Sequence, residues 1–265
     1  MKAYVINLAR APRRRSHMRK QLEIAGLEYD FVEAVDGRLL DMQDGELVDK
    51  DAIEEGALGA DVGVPGTVGC ALSHQRAYRQ ILENGVECAL IMEDDVVLPR
   101  NVGAICEAVA SCMSGPEVAL LHFHSAAGRP CSVTRQGLRE LGKWGQLLNI
   151  ADLTHLASTG AYVVTAEACA AIIARNTPVR RKADAWQGFV VDGALDRVRC
   201  VSPMPVHTSP AFRSTIDSYA PTSVQTRLRD AVNRGIPGLD WLLSKRRMLR
   251  LKRMAWDGTV VFTDE

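Results

Sequence analysis

Three consecutive carboxylates, Glu93, Asp94 and Asp95, follow the apolar run of residues 88–92. That run has the length and composition of a buried strand, so the pattern puts three negative charges at the carboxyl end of an interior strand. Ligands of open α/β sheets bind beyond this edge. Carboxylate oxygens suit Mn²⁺ or Mg²⁺, which usually bind substrate phosphates as well. We predict a metal site with Asp95 and Asp94 as ligands; the alternative is an exposed acidic turn.

The elements around this run alternate between strand and helix. Apolar runs predict strands over residues 3–8, 29–35, 88–92 and 118–123, and helical spacing predicts helices over residues 12–25, 67–84 and 102–113. This order predicts an α/β fold with a mixed, mostly parallel sheet flanked by helices. The second half is less regular, with predicted strands over 160–165 and 198–206, a helix over 166–175 and a mobile lid over 209–223.

Four separated segments carry a resemblance to a known family. They are residues 5–14 (VINLARAPRR), 34–37 (AVDG), 69–74 (GCALSH) and 93–95 (EDD). In order and spacing these segments resemble the family 25 glycosyltransferases, which include lipooligosaccharide galactosyltransferases and relatives of collagen galactosyltransferases. A looser likeness runs over residues 158–219.

The resemblance implies a GT-A-like (Rossmann-like) fold, a UDP-sugar donor, a divalent metal and inversion at the anomeric carbon. It also implies that Glu93 and Asp94 reach the donor ribose or the water around the metal. Ser73 and His74 would contact the donor, although a structural role for His74 is the alternative. His207 follows a predicted strand, where some GT-A enzymes place a further metal ligand.

Polar side chains after the first two predicted strands are further candidates for binding the donor. Asn7 and Leu8 end the first strand, and Arg10 and Arg14 follow it. Arginine matches phosphate geometrically, and we expect Arg10 to be the better placed, because successive residues of a helix point in different directions. Asp36 could accept from a ribose hydroxyl or the uracil amide, or simply form the turn after the second strand.

An inverting transfer in one displacement needs a base that deprotonates the acceptor hydroxyl. Asp184 is our first candidate, and Trp186 close by could stack on a sugar face. Asp192 is the second candidate. For both aspartates the alternative is a solvated acid on a helix, because residue type and position alone do not establish a catalytic role.

Composition excludes some classes of protein. The 32 lysines and arginines balance 32 aspartates and glutamates, so the chain lacks the charge signature of a nucleic-acid binder. Seven cysteines, an odd number with no Cys-x-x-Cys pair, indicate a reducing cytoplasm. No stretch approaches the roughly eighteen apolar residues that span a bilayer. We expect a cytoplasmic protein with a catalytic domain over residues 1–225, in which the nucleotide half ends near residue 125 and the acceptor half begins near residue 126.

A basic region follows over residues 226–265, which we expect to be helical and amphipathic. Residues 239–256 combine cations with Trp241, Trp256 and several leucines. This mixture is typical of peripheral contact with an anionic membrane surface, here the inner face of the cytoplasmic membrane. Packing of an ordinary amphipathic helix on the catalytic domain is the alternative.

These observations together predict a metal-dependent transferase that moves a hexose from a UDP-sugar to a saccharide or glycolipid acceptor. Galactose as the hexose, and lipooligosaccharide or lipopolysaccharide core as the acceptor, are what the resemblance implies. Two alternatives stay open. One is a metal-dependent nucleotidyltransferase or phosphohydrolase acting on a sugar nucleotide. The other is a non-catalytic protein that binds a sugar nucleotide.

Overall fold

Helices cover both faces of a nine-stranded sheet in the computed structural model, which describes residues 1–58, 64–125, 130–212 and 258–263. The strands are β1 Lys2–Asn7, β2 Glu28–Glu33, β3 Cys88–Glu93, β4 Val96–Val97, β5 Glu117–Leu120, β6 His124–Ser125, β7 Cys131–Glu140, β8 Gln146–Ile150, β9 Leu156–Ala157, β10 Ala161–Thr165, β11 Arg197–Ser202, β12 His207–Thr208 and β13 Val260–Phe262. The α-helices are α1 Pro12–Ala25, α2 Lys50–Glu54, α3 Val64–Glu83, α4 Val102–Ala110, α5 Ala166–Arg175 and α6 Trp186–Val191, and short 3-10 turns lie at Gly37–Leu39 and Gly142–Trp144.

The large sheet has the strand order β13-β7-β8-β11-β5-β10-β3-β1-β2. The pairings β1 with β2, β1 with β3, β11 with β5 and β13 with β7 are parallel, whereas β10 and β8 run antiparallel to both of their neighbours. All strands of this sheet therefore run in one direction except β8 and β10. The predicted mixed, mostly parallel sheet flanked by helices is confirmed.

Two apolar layers hold the helices on the sheet. Alternate residues of a strand face opposite sides, so Tyr4 and Ile91 belong to one layer, and Val5 and Met92 to the other. The first layer takes buried side chains from α3, α5 and α6, and the second takes them from α1 and α4. Glu93, which follows Met92, thus points toward α3, and Asp94 points toward α1.

The ends of the central strands meet at one edge of the sheet. Strands β1 and β3 are parallel neighbours, so their carboxyl ends lie side by side. Strand β10 begins at the same edge, because Ala161 pairs with Met92 in antiparallel register. A two-stranded ribbon adds to this edge, with His207 of β12 opposite Val97 of β4. The topology therefore gathers residues from four separate parts of the chain.

Two parts of the sequence-based picture differ from the structure. The hairpin of β7 and β8 lies where no strand was predicted, over residues 131–150. Within the basic region 226–265 that we expected to be helical, Val260–Phe262 form a strand on the edge of the sheet. The stretch 239–256 and most of the predicted lid 209–223 lie outside the described residues. Within the described ranges no helix is both long and apolar enough to cross a membrane.

Candidate active site

The three carboxylates at the end of β3 have different surroundings. Asp94 turns toward α1, where its Oδ2 accepts a hydrogen bond from Nδ2 of Asn7 at 2.7 Å and its Oδ1 from Nη1 of Arg14 at 2.6 Å. Burial nevertheless raises the pKa of Asp94, because it outweighs the favourable effect of Arg14 and Asn7. Glu93 turns to the opposite layer. Asp94 and Glu93 therefore point to opposite sides of the sheet, and protein groups compensate the charge of Asp94.

Asp95 is the least compensated member of this acidic trio. Its Oδ2 lies 3.4 Å from the same Arg14 nitrogen that binds Asp94 at 2.6 Å. Burial first, and then repulsion from Glu93 and Asp94, raise the pKa of Asp95 to about 7. Its backbone carbonyl accepts a hydrogen bond from the amide of Ser209 at 2.6 Å, which fixes the turn. Asp95 is the carboxylate that would gain most from a bound cation.

Arg14 is the arginine that reaches the acids. It lies in the first turn of α1, which starts with Pro12, and its guanidinium also lies over the Phe212 ring at 5.3 Å. Arg10, which we expected to be the better placed for a diphosphate, pairs with Asp36 at 2.8 Å. Arg14 is thus the buried member of the run Arg13, Arg14 and Arg15, and the sequence alone does not show which of the three is buried.

The turn at Asp36 is held against α3 by close backbone contacts. Asp36 caps the 3-10 turn by accepting from the amide of Arg38, and its carboxylate pairs with the Arg38 side chain as well. A Cβ atom on Gly69 would lie 2.8 Å from the carbonyl oxygen of Val35. Ser73 is 2% exposed and its Oγ accepts from the amide of Val35 at 2.8 Å. Ser73 therefore supports this turn, and its predicted contact with a donor finds no support in its surroundings.

Glu93 belongs to a chain of polar groups between the sheet and α3. Its Oε1 accepts from Oγ1 of Thr159 at 2.5 Å and lies 3.8 Å from Nε2 of His74. Burial would raise the pKa of Glu93, but the interactions with His74 and Thr159 outweigh it, and the pKa is lowered. The other ring nitrogen of His74 lies 2.7 Å from the hydroxyl of Tyr162, which lies 2.9 Å from that of Tyr78. Glu93 is thus an ionised side chain in a prearranged network.

Comparison with known proteins gives a family match for the part of the chain that includes the acidic trio. Residues 1–129 match the sequence model described as glycosyltransferase family 25 (LPS biosynthesis protein). Residues 1–129 belong to glycosyltransferase family 25. The mouse protein named inactive glycosyltransferase 25 family member 3 is 31% identical over 100 residues, which are 37% of this chain and 17% of that protein. Human procollagen galactosyltransferase 2 is 30% identical over 95 residues, which are 35% of this chain and 15% of that protein.

The match thus spans less than a fifth of these relatives, of which one is named inactive and the other is named a galactosyltransferase. Solved structures are similar at a distance. Apo UDP-glucose pyrophosphorylase has a TM-score of 0.40 at 11% identity, covering 76% of this chain and 89% of that chain. A glycosyltransferase involved in glycosylation of the major capsid of PBCV-1 has a TM-score of 0.33 at 13% identity, covering 76% of this chain and 82% of that chain.

Beyond the family 25 match, the segment before β10 connects the edge to Asp184. Ser158 has a φ of 106°, an uncommon backbone conformation for a residue other than glycine. Its Oγ lies 2.7 Å from Nδ1 of His122, and its amide donates to Oδ2 of Asp184 at 3.2 Å. Burial first, and then the neighbouring His124, lower the pKa of His122 to about 4, so this ring is neutral near pH 7. Asp184 thus binds the residue next to Thr159, whose hydroxyl binds Glu93.

Trp186 is buried and Asp192 is held in an ion pair, so the surroundings of neither residue match the role that the sequence suggested. Trp186 is 1% exposed and packs edge-on against Tyr162 at 5.4 Å, so it fills the core beneath the network and cannot stack on a sugar. Asp192 forms a two-pronged ion pair with Arg181 at 2.5 and 2.7 Å. The hydrogen bonds from Arg181 lower the pKa of Asp192, which makes it a weaker base.

His207 is exposed on β12. It pairs with Val97 of β4, which lies two residues after Asp95. Leu8 is half-buried, and its carbonyl accepts from the amide of Ala11 in the turn that leads into α1. Sequence reasoning did not single out Cys70, Thr159 and Tyr162, although the i, i+4 spacing of Cys70 and His74 on one helix places both on the same face.

Proposed function

We propose that this chain is a metal-dependent inverting glycosyltransferase that moves a hexose from a UDP-sugar to a saccharide acceptor. Galactose is the first candidate for the hexose, since human procollagen galactosyltransferase 2 is among the relatives. Lipooligosaccharide or lipopolysaccharide core is the first candidate for the acceptor, following the description of the family. One observation carries the proposal: Asp95 is a largely buried carboxylate whose pKa is raised to about 7 beside two further acids.

The residues at this edge fit a hard divalent cation such as Mn²⁺ or Mg²⁺. These ions prefer oxygen ligands and are often held by one or two carboxylates together with substrate phosphates. Asp95 would be the direct ligand, with Asp94 and His207 as further candidates, although both oxygens of Asp94 already accept hydrogen bonds from Asn7 and Arg14. When bound, the ion would neutralise charge on the departing diphosphate.

The neighbouring groups of the chain would hold the donor and keep this corner rigid. Arg14 and Asn7 fix Asp94 from two sides, so the turn that carries Asp95 cannot rotate freely. The Asp36 turn, pinned to α3 through Gly69, lies at the end of the strand next to β1 and presents a carboxylate to a ribose or uracil. Arg10 forms an ion pair with the same carboxylate and could contact the nucleotide from this position.

Asp184 is the proposed base. Its Oδ2 is oriented by the amide of Ser158, and a carboxylate held in this way can take the proton of an acceptor hydroxyl. Asp192 is the less suitable candidate because its carboxylate is engaged by Arg181. General-base catalysis contributes about 10²- to 10⁴-fold, so Asp184→Asn should slow transfer by that factor while UDP-sugar binding persists.

A ligand panel tests the donor and the metal. The protein is heated with Mn²⁺ and uridine-, guanosine- or cytidine-linked sugars, and binding is measured as a rise in Tm. We expect protection by a UDP-sugar with Mn²⁺, its loss in Asp95→Asn, and its retention in Asp41→Asn. Asp41 is an exposed aspartate that caps a turn, a role that asparagine also fills. Equal protection of both variants would remove Asp95 from the proposal.

Product analysis then separates transfer from its alternatives. Incubation with a UDP-hexose and oligosaccharide acceptors should release UDP and add the mass of one hexose to the acceptor. Release of pyrophosphate or of a sugar phosphate would support a nucleotidyltransferase or phosphohydrolase instead. Protection by UDP-sugar without any product would support a non-catalytic binder, as the names of several family 25 relatives suggest.

We also propose that residues 239–256 bind an anionic membrane surface, which would bring a glycolipid acceptor to the enzyme. The composition of this stretch supports the proposal, because cations accompany interfacial tryptophans and leucines. Strand β13, only a few residues further along the chain, is part of the catalytic sheet. Membrane contact through 239–256 would therefore occur close in sequence to a fixed point on the domain.

A further inference from the structure

Cys70, His74 and Glu93 form a compact group of potential metal ligands between α3 and the end of β3. One ligand atom from each residue lies within 4.8 Å of the other two, and no other such trio of histidine, cysteine or acidic side chains occurs in the described ranges. Cys70 and His74 lie one turn apart on α3, and Glu93 ends β3. The group therefore joins a helix to a central strand.

The ring of His74 leaves one nitrogen without a partner inside the protein. His74 is 1% exposed, and its Nε2 has no hydrogen-bond partner. Its Nδ1 lies 2.7 Å from the hydroxyl of Tyr162, which can accept from this nitrogen while it donates to Tyr78 at 2.9 Å. In that tautomer the Nε2 lone pair faces Oε1 of Glu93 at 3.8 Å, and these two acceptors attract each other only through a proton or a metal ion between them. A buried unpaired nitrogen is costly unless something binds it.

The surrounding groups are those that orient metal ligands in proteins. Ligating histidines usually donate their second ring nitrogen to a fixed acceptor, and ligating carboxylates are themselves hydrogen-bonded. Tyr162 fills the first role for His74, and Thr159 fills the second for Glu93 at 2.5 Å. Ligands at about 2.1–2.3 Å from a tetrahedral ion lie about 3.4–3.8 Å apart, so the 3.8 Å between His74 and Glu93 is already near this value, and the Cys70 sulfur, within 4.8 Å of both, has to approach by up to about 1 Å.

We propose that Cys70, His74 and Glu93 bind a borderline-soft divalent cation of the zinc type at a site separate from Asp95. A thiolate and an imidazole select zinc over Mn²⁺ or Mg²⁺, which prefer oxygen. Binding converts the Cys70 thiol to a thiolate and releases its proton to solvent. Three protein ligands leave the fourth position for water or another small ligand. The ion would tie α3 to β3 and hold Glu93 in place.

Cobalt gives a direct test on the unmodified full-length protein. Co²⁺ replaces zinc in such sites, and its bond to a thiolate produces a charge-transfer absorption that oxygen ligands do not produce. After removal of metals with a chelator, one equivalent of Co²⁺ should produce this band and one equivalent of Zn²⁺ should abolish it. The band should be absent in Cys70→Ser and retained in Cys112→Ser, a half-buried cysteine outside the group. No band in the unmodified protein, or a band that survives in Cys70→Ser, would overturn the proposal.

Alkylation gives a second measurement that does not depend on any variant folding. At a free zinc concentration about ten times the Kd, mass action predicts about tenfold slower alkylation of Cys70. Cys112 in the same sample should react at an unchanged rate, as peptide mass spectrometry can show. Tyr162→Phe should weaken zinc binding by about 10- to 100-fold, because the His74 ring loses its orienting partner. Equal protection of both cysteines would contradict the site.

The zinc site and the sugar-transfer proposal fail separately. Zinc binding should persist in Asp95→Asn, in which the proposed Mn²⁺ ligand is gone. Conversely, protection by Mn²⁺ and a UDP-sugar should persist in Cys70→Ser. Loss of zinc binding in Asp95→Asn would show that the two sets of residues form one site and would overturn the separate assignment.

Discussion

Arg14 donates from Nη1 to Oδ1 of Asp94 over 2.6 Å, and the two side chains are only 11% and 9% exposed. This ion pair explains how three adjacent acids persist at the end of one strand. Repulsion is relieved in part by a cation that the chain itself supplies from the first turn of α1, and this cation lies closer to Asp94 than to Asp95. Removing one member of a buried pair is costly, because the other member stays buried and unpaired.

Replacing Arg14 should therefore destabilise the protein strongly. We expect Arg14→Met to lower the free energy of unfolding by about 3 kcal/mol in urea titrations, since the Asp94 charge loses its partner. Arg13→Met is the matched control on the exposed side of the same helix and should change stability by less than about 0.5 kcal/mol. Adding Asp94→Asn to Arg14→Met should recover part of the loss. Additive losses in the double variant would contradict a direct pair.

Asp95 should have the opposite effect on stability in the absence of metal. Its pKa is about 7 in the folded protein against an ordinary value of 3.8, so the stability it contributes is present below pH 3.8 and is lost as pH rises through 7. Each pH unit between the two values is worth about 1.4 kcal/mol, which sets a ceiling of about 4 kcal/mol. With a chelator present, Asp95→Asn should thus be more stable than the unmodified protein at pH 8.

The same comparison at pH 4 provides the control for Asp95. There the two proteins should unfold at nearly the same urea concentration, because pH 4 is far below the folded pKa and only just above 3.8, so little of the destabilisation by Asp95 remains. A variant that is less stable than the unmodified protein at pH 8 would show that Asp95 is stabilised by the fold, and the case for a metal ligand would lose its physical basis.

The sequence predicts the elements of the first half well, because the signals are local. The apolar run before Glu93 marks β3, and Pro12 with Gly26 marks both ends of α1, where Gly26 has a φ of 64°. The placement of the acids at a strand end follows from these signals alone. What local signals do not contain is the direction of each side chain. That Glu93 pairs with α3 and Asp94 with α1 depends on which helices cover which face of the sheet.

The hairpin of β7 and β8 shows a different limit. Its first strand contains Gly137, which has a φ of 75°, and the register of its pairing with β8 shifts between Thr134 and Arg139. A shifted register breaks the two-residue alternation that identifies strands in a sequence. Trp186 was misjudged for a related reason. Its neighbours in sequence are polar and small, but its ring packs against Tyr162 and Phe189 from distant or later segments.

Gly69 should be intolerant of a side chain. A Cβ atom there would lie 2.8 Å from the Val35 carbonyl and 2.9 Å from the Gly37 amide nitrogen, both backbone atoms that cannot move independently. We expect Gly69→Ala to cost about 1–3 kcal/mol and to weaken UDP-sugar protection, because the Asp36 turn is displaced. Gly45→Ala is the control, since a Cβ at Gly45 meets nothing within 4 Å. Equal effects of the two substitutions on Tm would refute this explanation of the glycine.

Asp192 should prove structural. We expect Asp192→Asn to keep sugar transfer within about twofold while it loses about 1 kcal/mol of stability at pH 7, since the pair with Arg181 is partly screened by solvent. Its pKa lies below the ordinary 3.8, so the stability it contributes is present above that pH and is lost as pH falls through the lowered value. The difference between variant and unmodified protein should therefore shrink in acid. Loss of transfer with normal donor binding would return the role of base to Asp192.

Membrane binding is best tested by removing charge and keeping the chain intact. Truncation before residue 258 would also remove β13, whose Phe262 ring lies 4.2 Å from the guanidinium of Arg135 on β7. Replacing four cations of the 239–256 stretch by glutamine avoids this, at Lys245, Arg246, Arg247 and Arg250. We expect the unmodified protein to sediment with vesicles that contain anionic lipid, and to be released as salt is raised, because screening weakens attraction between charges. The glutamine variant should stay in solution and keep its Tm, whereas sedimentation equal to that of the unmodified protein would favour packing of this stretch on the domain.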